Sequence, residues 1–264
     1  MECRGLSAGY RRKEVLHGID WTLETGKMTA IVGPNGSGKS TLLKAMMGQA
    51  EIRSGEILLD GKRIQDWDSR NLAKKIAYLP QNRSESRLPA ERMVLHGRFP
   101  YRSASGHYTK EDEERAAMAL SRMGMEHLCH KPVSELSGGE RQKVYLAMAL
   151  AQDAPVLLLD EPAVFLDLSW QLELMELLEE LVREGKTVAA VLHDLNHALQ
   201  YADRLLVMEG GRVRAYGTRK QILESGILEQ VFGLDISEVR DGKGRLQYCF
   251  SRASVSEGAG ERNS

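Results

Sequence analysis

The run Gly33-Pro34-Asn35-Gly36-Ser37-Gly38-Lys39-Ser40-Thr41 has the spacing G-x-x-x-x-G-K-[ST]. Glycines here let the backbone curl so that successive N–H groups point inward, at phosphate oxygens. A helix starting at the end of the loop adds the positive end of its dipole. Lys39 brings a mobile positive charge to the terminal phosphates, and the Ser40 hydroxyl is a hard oxygen ligand suited to Mg2+. The chemistry implied is the binding of a nucleoside triphosphate.

Farther on, Val156-Leu157-Leu158-Leu159-Asp160-Glu161-Pro162 puts two adjacent carboxylates at the end of an apolar run of strand length. In a parallel sheet such ends face the ligand crevice. The pair can divide the work, Asp160 holding a cation through water and Glu161 polarising the attacking water. Alone, Asp-Glu after a strand is a common surface turn. With the phosphate loop upstream it points to hydrolysis or phosphoryl transfer. A third run, Leu136-Ser137-Gly138-Gly139-Glu140-Arg141-Gln142, leads into a helix and offers a second anion cradle. The same residues also fit an ordinary helix cap made by Ser137.

The elements that must carry these residues follow from pattern. Val15 to Leu23 alternates as a strand. Met28 to Val32 is a short apolar strand entering the glycine loop, and residues 39–48 form a helix ending near Gly48. Glu56 to Leu59 is a strand with Asp60-Gly61 as its hairpin turn. Ile76 to Leu79 is another, ended by Pro80. Strand signals then vanish until about residue 152. Thr109 and Asp112 resemble a capping box for a helix reaching Met123, and a second helix runs from Gly139 to Gln152. The charge run Glu111 to Glu114 reads as a solvated helix face. Beyond it, Val156 to Leu159 and Thr187 to Leu192 are strands buried on both faces, and helices occupy 170–184 and the stretch from Asp194. Two short strands flank Glu209-Gly210-Gly211, and 218–250 is a small helix–strand extension.

Composition limits the alternatives. At 264 residues, with 42% hydrophobic and 28% charged residues, the chain can bury a full core without staples, so whole-chain disorder is excluded. Lys and Arg number 36 against 37 Asp and Glu; a net charge of −1 gives no basic excess for nucleic acid, and no such partner is expected. Cys3, Cys129 and Cys249 lie far apart with no metal-like spacing, which fits a reducing compartment. The start lacks an apolar signal region and no window approaches a membrane span. The expectation is a cytoplasmic protein that reaches a membrane only through a partner.

Taken together, the motifs resemble the ATP-binding cassette (ABC) family over roughly residues 1–240. LSGGERQ at 136–142 resembles the family signature, Tyr10 the aromatic that stacks on adenine, and Gln81 the Q-loop glutamine. Leu166-Asp167 resembles the D-loop and His193 the switch histidine, all in the family's order. The resemblance implies an α/β fold: a P-loop NTPase, ABC-type nucleotide-binding domain with an antiparallel β subdomain and an inserted α-helical subdomain. Its parts would be an ATP-binding core of residues 1–83 and 153–250, a helical subdomain at 84–152, and a flexible tail at 251–264.

The resemblance also implies ATP and Mg2+ as cofactors and an ATPase activity. Lys39, Gln81, Glu161 and His193 would be catalytic. Tyr10 and the loop Gly33, Pro34, Asn35, Gly36, Ser37, Gly38, Lys39, Ser40 and Thr41 would bind ATP. Ser40, Gln81 and Asp160 would hold Mg2+. Two cassettes would pair head to tail, so that Ser137, Gly138, Gly139 and Asp167 meet the nucleotide held by the partner chain. ATP's charge is then neutralised from both sides only in the closed dimer, which hydrolysis reopens. Two positions depart from the pattern: Glu140 stands where glutamine is commonest, and Ala163 replaces the usual Thr or Ser. An acid in the first helical turn is favourable, whereas Ala163 is expected to loosen the D-loop slightly.

Residues 93–103, 161–178 and 191–213 resemble cassettes of iron–siderophore, haem and cobalamin importers. That implies an ATPase on the cytoplasmic face of the membrane, beneath two integral permease subunits, with a separate extracytoplasmic binding protein delivering the cargo. Arg98, Phe99 and Tyr101 lie where such cassettes meet their permease, or else in the subdomain core. Rival readings are a soluble non-transport cassette, an exporter subunit, and a P-loop kinase or GTPase. The chain has no long coiled-coil insertion, no second cassette and no guanine-reading segment, and so favours none of these.

Overall fold

The computed structural model describes residues 1–81, 86–103, 106–240, 242, 244 and 246–252. The chain opens with β1 (Glu2–Tyr10), β2 (Lys13–Thr22) and β3 (Met28–Val32), then α1 (Lys39–Met46), β4 (Glu51–Leu59) and β5 (Lys62–Arg63). Next come α2 (Ser69–Lys75), β6 (Ile76–Leu79), α3 (Ala90–Leu95), a 3-10 segment His96–Tyr101, α4 (Lys110–Arg122) and α5 (Gly138–Ala151). The second half comprises β7 (Val156–Asp160), α6 (Leu168–Arg183), β8 (Thr187–Val191), α7 (Leu195–Tyr201), β9 (Arg204–Glu209) and β10 (Arg212–Gly217). It ends with α8 (Arg219–Glu224), α9 (Ile227–Phe232), β11 (Leu234–Arg240) and β12 (Leu246–Arg252).

Three sheets result. An antiparallel one has the order β2-β1-β4-β5, closed at Asp60-Gly61, where φ is 52° and 75° as a tight hairpin turn requires. The main sheet has the order β10-β9-β3-β8-β7-β6; β9, β3, β8, β7 and β6 run parallel, and β10 is an antiparallel edge. β11 and β12 form a separate hairpin. The parallel strands alternate between two cores, because side chains in a strand point to opposite faces in turn. Ala30, Val32, Leu157, Leu159, Val188, Ala190, Leu205 and Val207 pack with α5, α6 and α7. Ile31, Val156, Leu158, Ala189, Val191, Leu206 and Met208 pack with α1 and the antiparallel sheet. Both faces are apolar, as the unalternating runs predict.

Two helices depart from the sequence reading: α2, ahead of the insert, starts where Asp68 accepts the Asn71 N–H at 2.9 Å, and α3 lies within the insert. The capping box of α4 is present; Glu111, Glu113 and Glu114 are exposed as the charge run predicts, and Asp112 alone departs from that reading. Asp112 is buried, accepts the Thr109 N–H at 2.9 Å and pairs with Arg98 Nε at 2.9 Å. Burial pushes the Asp112 carboxyl up, but the Thr109 bonds and Arg98 outweigh it and hold it below the usual carboxylate range. Arg98 also donates to the Ala151 carbonyl at 2.9 Å and lies 3.8 Å above the Tyr101 ring centre. The 98–101 cluster is therefore split: Arg98 is core, while Phe99 is 61% exposed.

Gln152 ties this insert to the main sheet by donating to the Ile76 carbonyl at 2.8 Å. The expected tail does not begin at Ser251: Ser251 and Arg252 pair with Asp235 and Leu234 in the last hairpin. Positions 253–264 and the 83/84 boundary lie outside the described residues.

Candidate nucleotide-hydrolysis site

Four neighbouring strands of the main sheet end at one edge. The chain leaves β3 at Gly33, β8 just before His193, β7 at Asp160-Glu161, and β6 just before Gln81. Their side-by-side order places the phosphate loop, the paired carboxylates, the glutamine and the histidine in a single crevice. The loop conformation demands glycine. Gly33 has φ 154°, and a Cβ there would collide with the Met208 carbonyl; Gly38 has φ 100° and N-caps α1. A second anchor comes from the β9–β10 turn: Gly211 N–H donates to Ser37 O at 3.1 Å, and His17 of β2, in the antiparallel sheet, donates its N–H to Gly211 O at 2.9 Å.

Within the loop, Lys39 is buried and donates to the carbonyls of Gly33 and Pro34 at 2.8 and 2.9 Å. Burial lowers the Lys39 ammonium's pKa, opposed by Glu161 and Asp160. Ser40 Oγ donates to Asp160 Oδ1 at 2.8 Å, and Asp160 Oδ2 is buried with no hydrogen-bond partner among the described residues. Burial pushes the Asp160 carboxyl up, against the Ser40 bond. Asn35 and Gly36 are exposed and Thr41 is half-buried at the start of α1.

Glu161 occupies the left-handed region at φ 54°, costly for a residue with a Cβ and held here by its partners. His193 Nε2 lies 2.6 Å from its Oε1, and Gln81 Nε2 donates to its Oε2 at 2.8 Å. A cavity of about 160 Å³ beside them is lined by Glu161, Phe165, Gln171, Leu192, His193 and Asp194. Gln142, which sequence reasoning missed, is buried on α5 and donates to the Pro162 carbonyl. It links the signature helix to the turn that carries Glu161. Its place six residues after Leu136 in the signature run was the available signal.

The remaining residues are not drawn into this crevice by the contacts they make. Ser137 N-caps α5 in a capping box: its hydroxyl accepts the Glu140 N–H at 3.3 Å, and its own N–H donates to Glu140 Oε2 at 2.8 Å. That N–H holds the Glu140 carboxyl below its usual range. The cap reading of Ser137 is thus what the single chain shows. Gly138 and Gly139 lie against exposed Phe165, which is itself left-handed at φ 69°. Asp167 caps α6, accepting the Trp170 N–H at 2.9 Å. Tyr10 closes β1 opposite Lys13 and is 39% exposed. Ala163 accepts the Leu166 N–H at 3.3 Å in the intervening turn.

Known proteins resemble this chain in sequence and in fold. The family profile described as ABC transporter matches residues 16–164. The iron(3+)-hydroxamate import ATP-binding protein FhuC of Bacillus subtilis (strain 168) is 38% identical over 93% of this chain and 92% of its own. The ferric enterobactin transport ATP-binding protein FepC of Escherichia coli (strain K12) is 41% identical over 87% and 85%. Among solved structures, a dimeric ATP-binding cassette bound to ADP and Pi in a post-hydrolysis state superposes with a TM-score of 0.74 at 29% identity, covering 83% of this chain and 98% of that one. By the profile matched over residues 16–164 and the 38–41% identity along most of both chains, the chain belongs to the ABC transporter family and is an ATP-binding cassette ATPase.

Proposed function

We propose that the chain is the ATP-hydrolysing subunit of a bacterial importer of ferric siderophores. The observation that carries this reading is the 38–41% identity, along most of both chains, to cassettes named for ferric hydroxamate and ferric enterobactin transport. Those relatives favour a siderophore over haem or cobalamin. Two copies would pair head to tail beneath two permease subunits, with an outside binding protein delivering the cargo. The chain would sit on the cytoplasmic face of the membrane through the permease; among the described residues no helix is long and apolar enough to cross it. Exposed Phe99, not buried Arg98, supports the permease contact. The core of residues 1–83 and 153–250 would bind nucleotide, and the insert 84–152 would carry the signature.

In this reading the loop N–H groups hold the phosphates of ATP, and Lys39 turns from the Gly33 and Pro34 carbonyls to the terminal phosphate. Tyr10 stacks on adenine. Ser40 and Asp160 fit a hard divalent cation, because Asp160 Oδ2 is a buried oxygen without a partner among the described residues. With Gln81 as a further ligand they would hold Mg2+, which neutralises phosphate charge when bound. Glu161, released by Gln81, accepts a proton from the attacking water, and His193 contacts the γ-phosphate. Ser137, Gly138, Gly139 and Asp167 act on the nucleotide of the partner chain.

The test is a pull-down of the tagged chain from gently solubilised native membranes, paired with uptake of ferric siderophores in a strain lacking the gene. A multi-helix permease in stoichiometric yield and a loss of uptake are expected. A soluble partner with intact uptake would overturn the transport reading and leave the ATPase.

A further inference from the structure

Three ligating side chains that ATP hydrolysis does not use meet on the helical insert. Glu91 is the second residue of α3. Cys129 and His130 follow the 3-10 turn Glu126–Leu128, between α4 and α5. One ligand atom from each, a carboxylate oxygen, a thiol sulfur and a ring nitrogen, lies within 4.8 Å of the other two. Glu91 Oε2 and His130 Nδ1 are 3.2 Å apart.

The backbone presets this meeting. Glu91 N–H donates to Cys129 O at 2.8 Å, and Ala90 N–H donates to Lys131 O at 3.0 Å. Pro89 and Pro132 continue the antiparallel contact as a bridge. On the other side, Cys129 N–H donates to Glu126 O at 3.2 Å and Lys131 N–H to Leu128 O at 3.0 Å. The two segments are pinned before any ligand arrives, so binding orders only side chains.

The donor set selects the ion. Thiolate, imidazole and carboxylate are poor company for Mg2+ or Ca2+, which take oxygen ligands, and good company for Zn2+. Bond lengths of about 2.0–2.3 Å in a tetrahedron set ligand atoms roughly 3.3–3.8 Å apart. The trio is within about 1 Å of that, and the His130 side chain, 82% exposed, is free to make the adjustment. Thiolate and carboxylate together neutralise the dication, and the thiol proton leaves to solvent on binding. Glu91 and Cys129 also line a cavity of about 410 Å³ with Leu95, Ala116, Leu120 and Glu126, which leaves room for water as a fourth ligand.

We propose that Glu91, Cys129 and His130 bind one Zn2+ ion. The ion ties α3 to the segment that leads into Ser137, and so clips two edges of the insert together. A plain Glu91–His130 ion pair accounts for two of the three side chains and gives the thiol no role.

The experiment is a titration of the full chain, free of nucleotide and with excess Mg2+ present, first with Co2+ and then with Zn2+. One equivalent of Co2+ is expected to produce a thiolate-to-cobalt charge-transfer band that Zn2+ abolishes. Cys129→Ser should remove the band. His130→Ala, at an exposed side chain that cannot unfold the chain, should weaken Zn2+ binding about tenfold or more. Cys249→Ser, at the exposed cysteine of the last hairpin, should change neither. The proposal is overturned by the absence of a stoichiometric band, by a band that survives Cys129→Ser or disappears in Cys249→Ser, or by His130→Ala binding Zn2+ like the parent chain.

Discussion

His193 and Gln81 hold the two carboxylate oxygens of Glu161 between them, at 2.6 and 2.8 Å. Both partners come from the ends of strands that flank β7 in the sheet. Each oxygen keeps a second acceptor site, so the two partners orient the carboxylate and leave a lone pair to take a proton from water. Gln81 and His193 are both exposed, and departure of Gln81 frees Oε2 while His193 still holds Oε1. In the single chain the two contacts fix the orientation of the Glu161 side chain.

The first prediction concerns this carboxylate. Glu161→Gln should retain ATP binding and lose about 10²–10⁴-fold in turnover, because the amide cannot take a proton. It should also collect as an ATP-bound dimer. Size-exclusion chromatography with ATP checks this; a variant that stays monomeric at high concentration would refute the head-to-tail clamp.

At the signature, Ser137→Arg should abolish hydrolysis and leave nucleotide binding to the single chain nearly intact, as measured by equilibrium titration. Equal loss of both would show that Ser137 serves its own chain's nucleotide. The milder Glu140→Gln keeps a capping side chain but removes a negative charge from the helix start. It should cost about 0.3–1 kcal/mol of stability and tighten ATP-dependent dimerisation. Dimerisation weaker than in the parent would refute the second half.

Asp160→Asn should separate stability from function. Burial raises the Asp160 pKa in the folded chain, so the neutral form is the one the fold favours. The stability it brings is full below the unfolded pKa and lost as pH rises through the folded one. The amide should therefore raise Tm of the nucleotide-free chain at neutral pH, by about 2–4 °C per kcal/mol recovered, with less gain in acid. Mg2+-dependent turnover should fall sharply. Melting curves across pH decide it; a gain that grows toward acid would reverse the sign.

Asp112 should behave in the opposite sense. Its folded pKa is lowered, so its contribution is present above the unfolded pKa and lost as pH falls through the folded one. Asp112→Ala leaves Arg98 buried and unpaired and should cost about 3–5 kcal/mol. Phe99→Ala should leave chemical denaturation unchanged and reduce permease capture from membranes. A large loss of stability in Phe99→Ala would mean that its ring is core.

Chemistry written in contiguous residues was legible from the chain alone. Gly33 to Thr41 and Val156 to Pro162 carry their own geometry, since a glycine loop before a helix and an apolar strand before carboxylates leave few other folds. The capping box at Thr109 and the hairpin at Asp60-Gly61 were equally readable, because turn and cap chemistry act over three or four residues. Residues far apart in sequence were decided by the tertiary structure. Only the β3-β8-β7-β6 order brings Gln81 and His193 onto Glu161. Only packing against α5 puts Asp112 in the core beside Arg98, where local pattern had left it in solvent. The meeting of Glu91 with Cys129 and His130 is of the same kind. No spacing announces it, because the two segments are joined by backbone hydrogen bonds that form only when the helical insert folds.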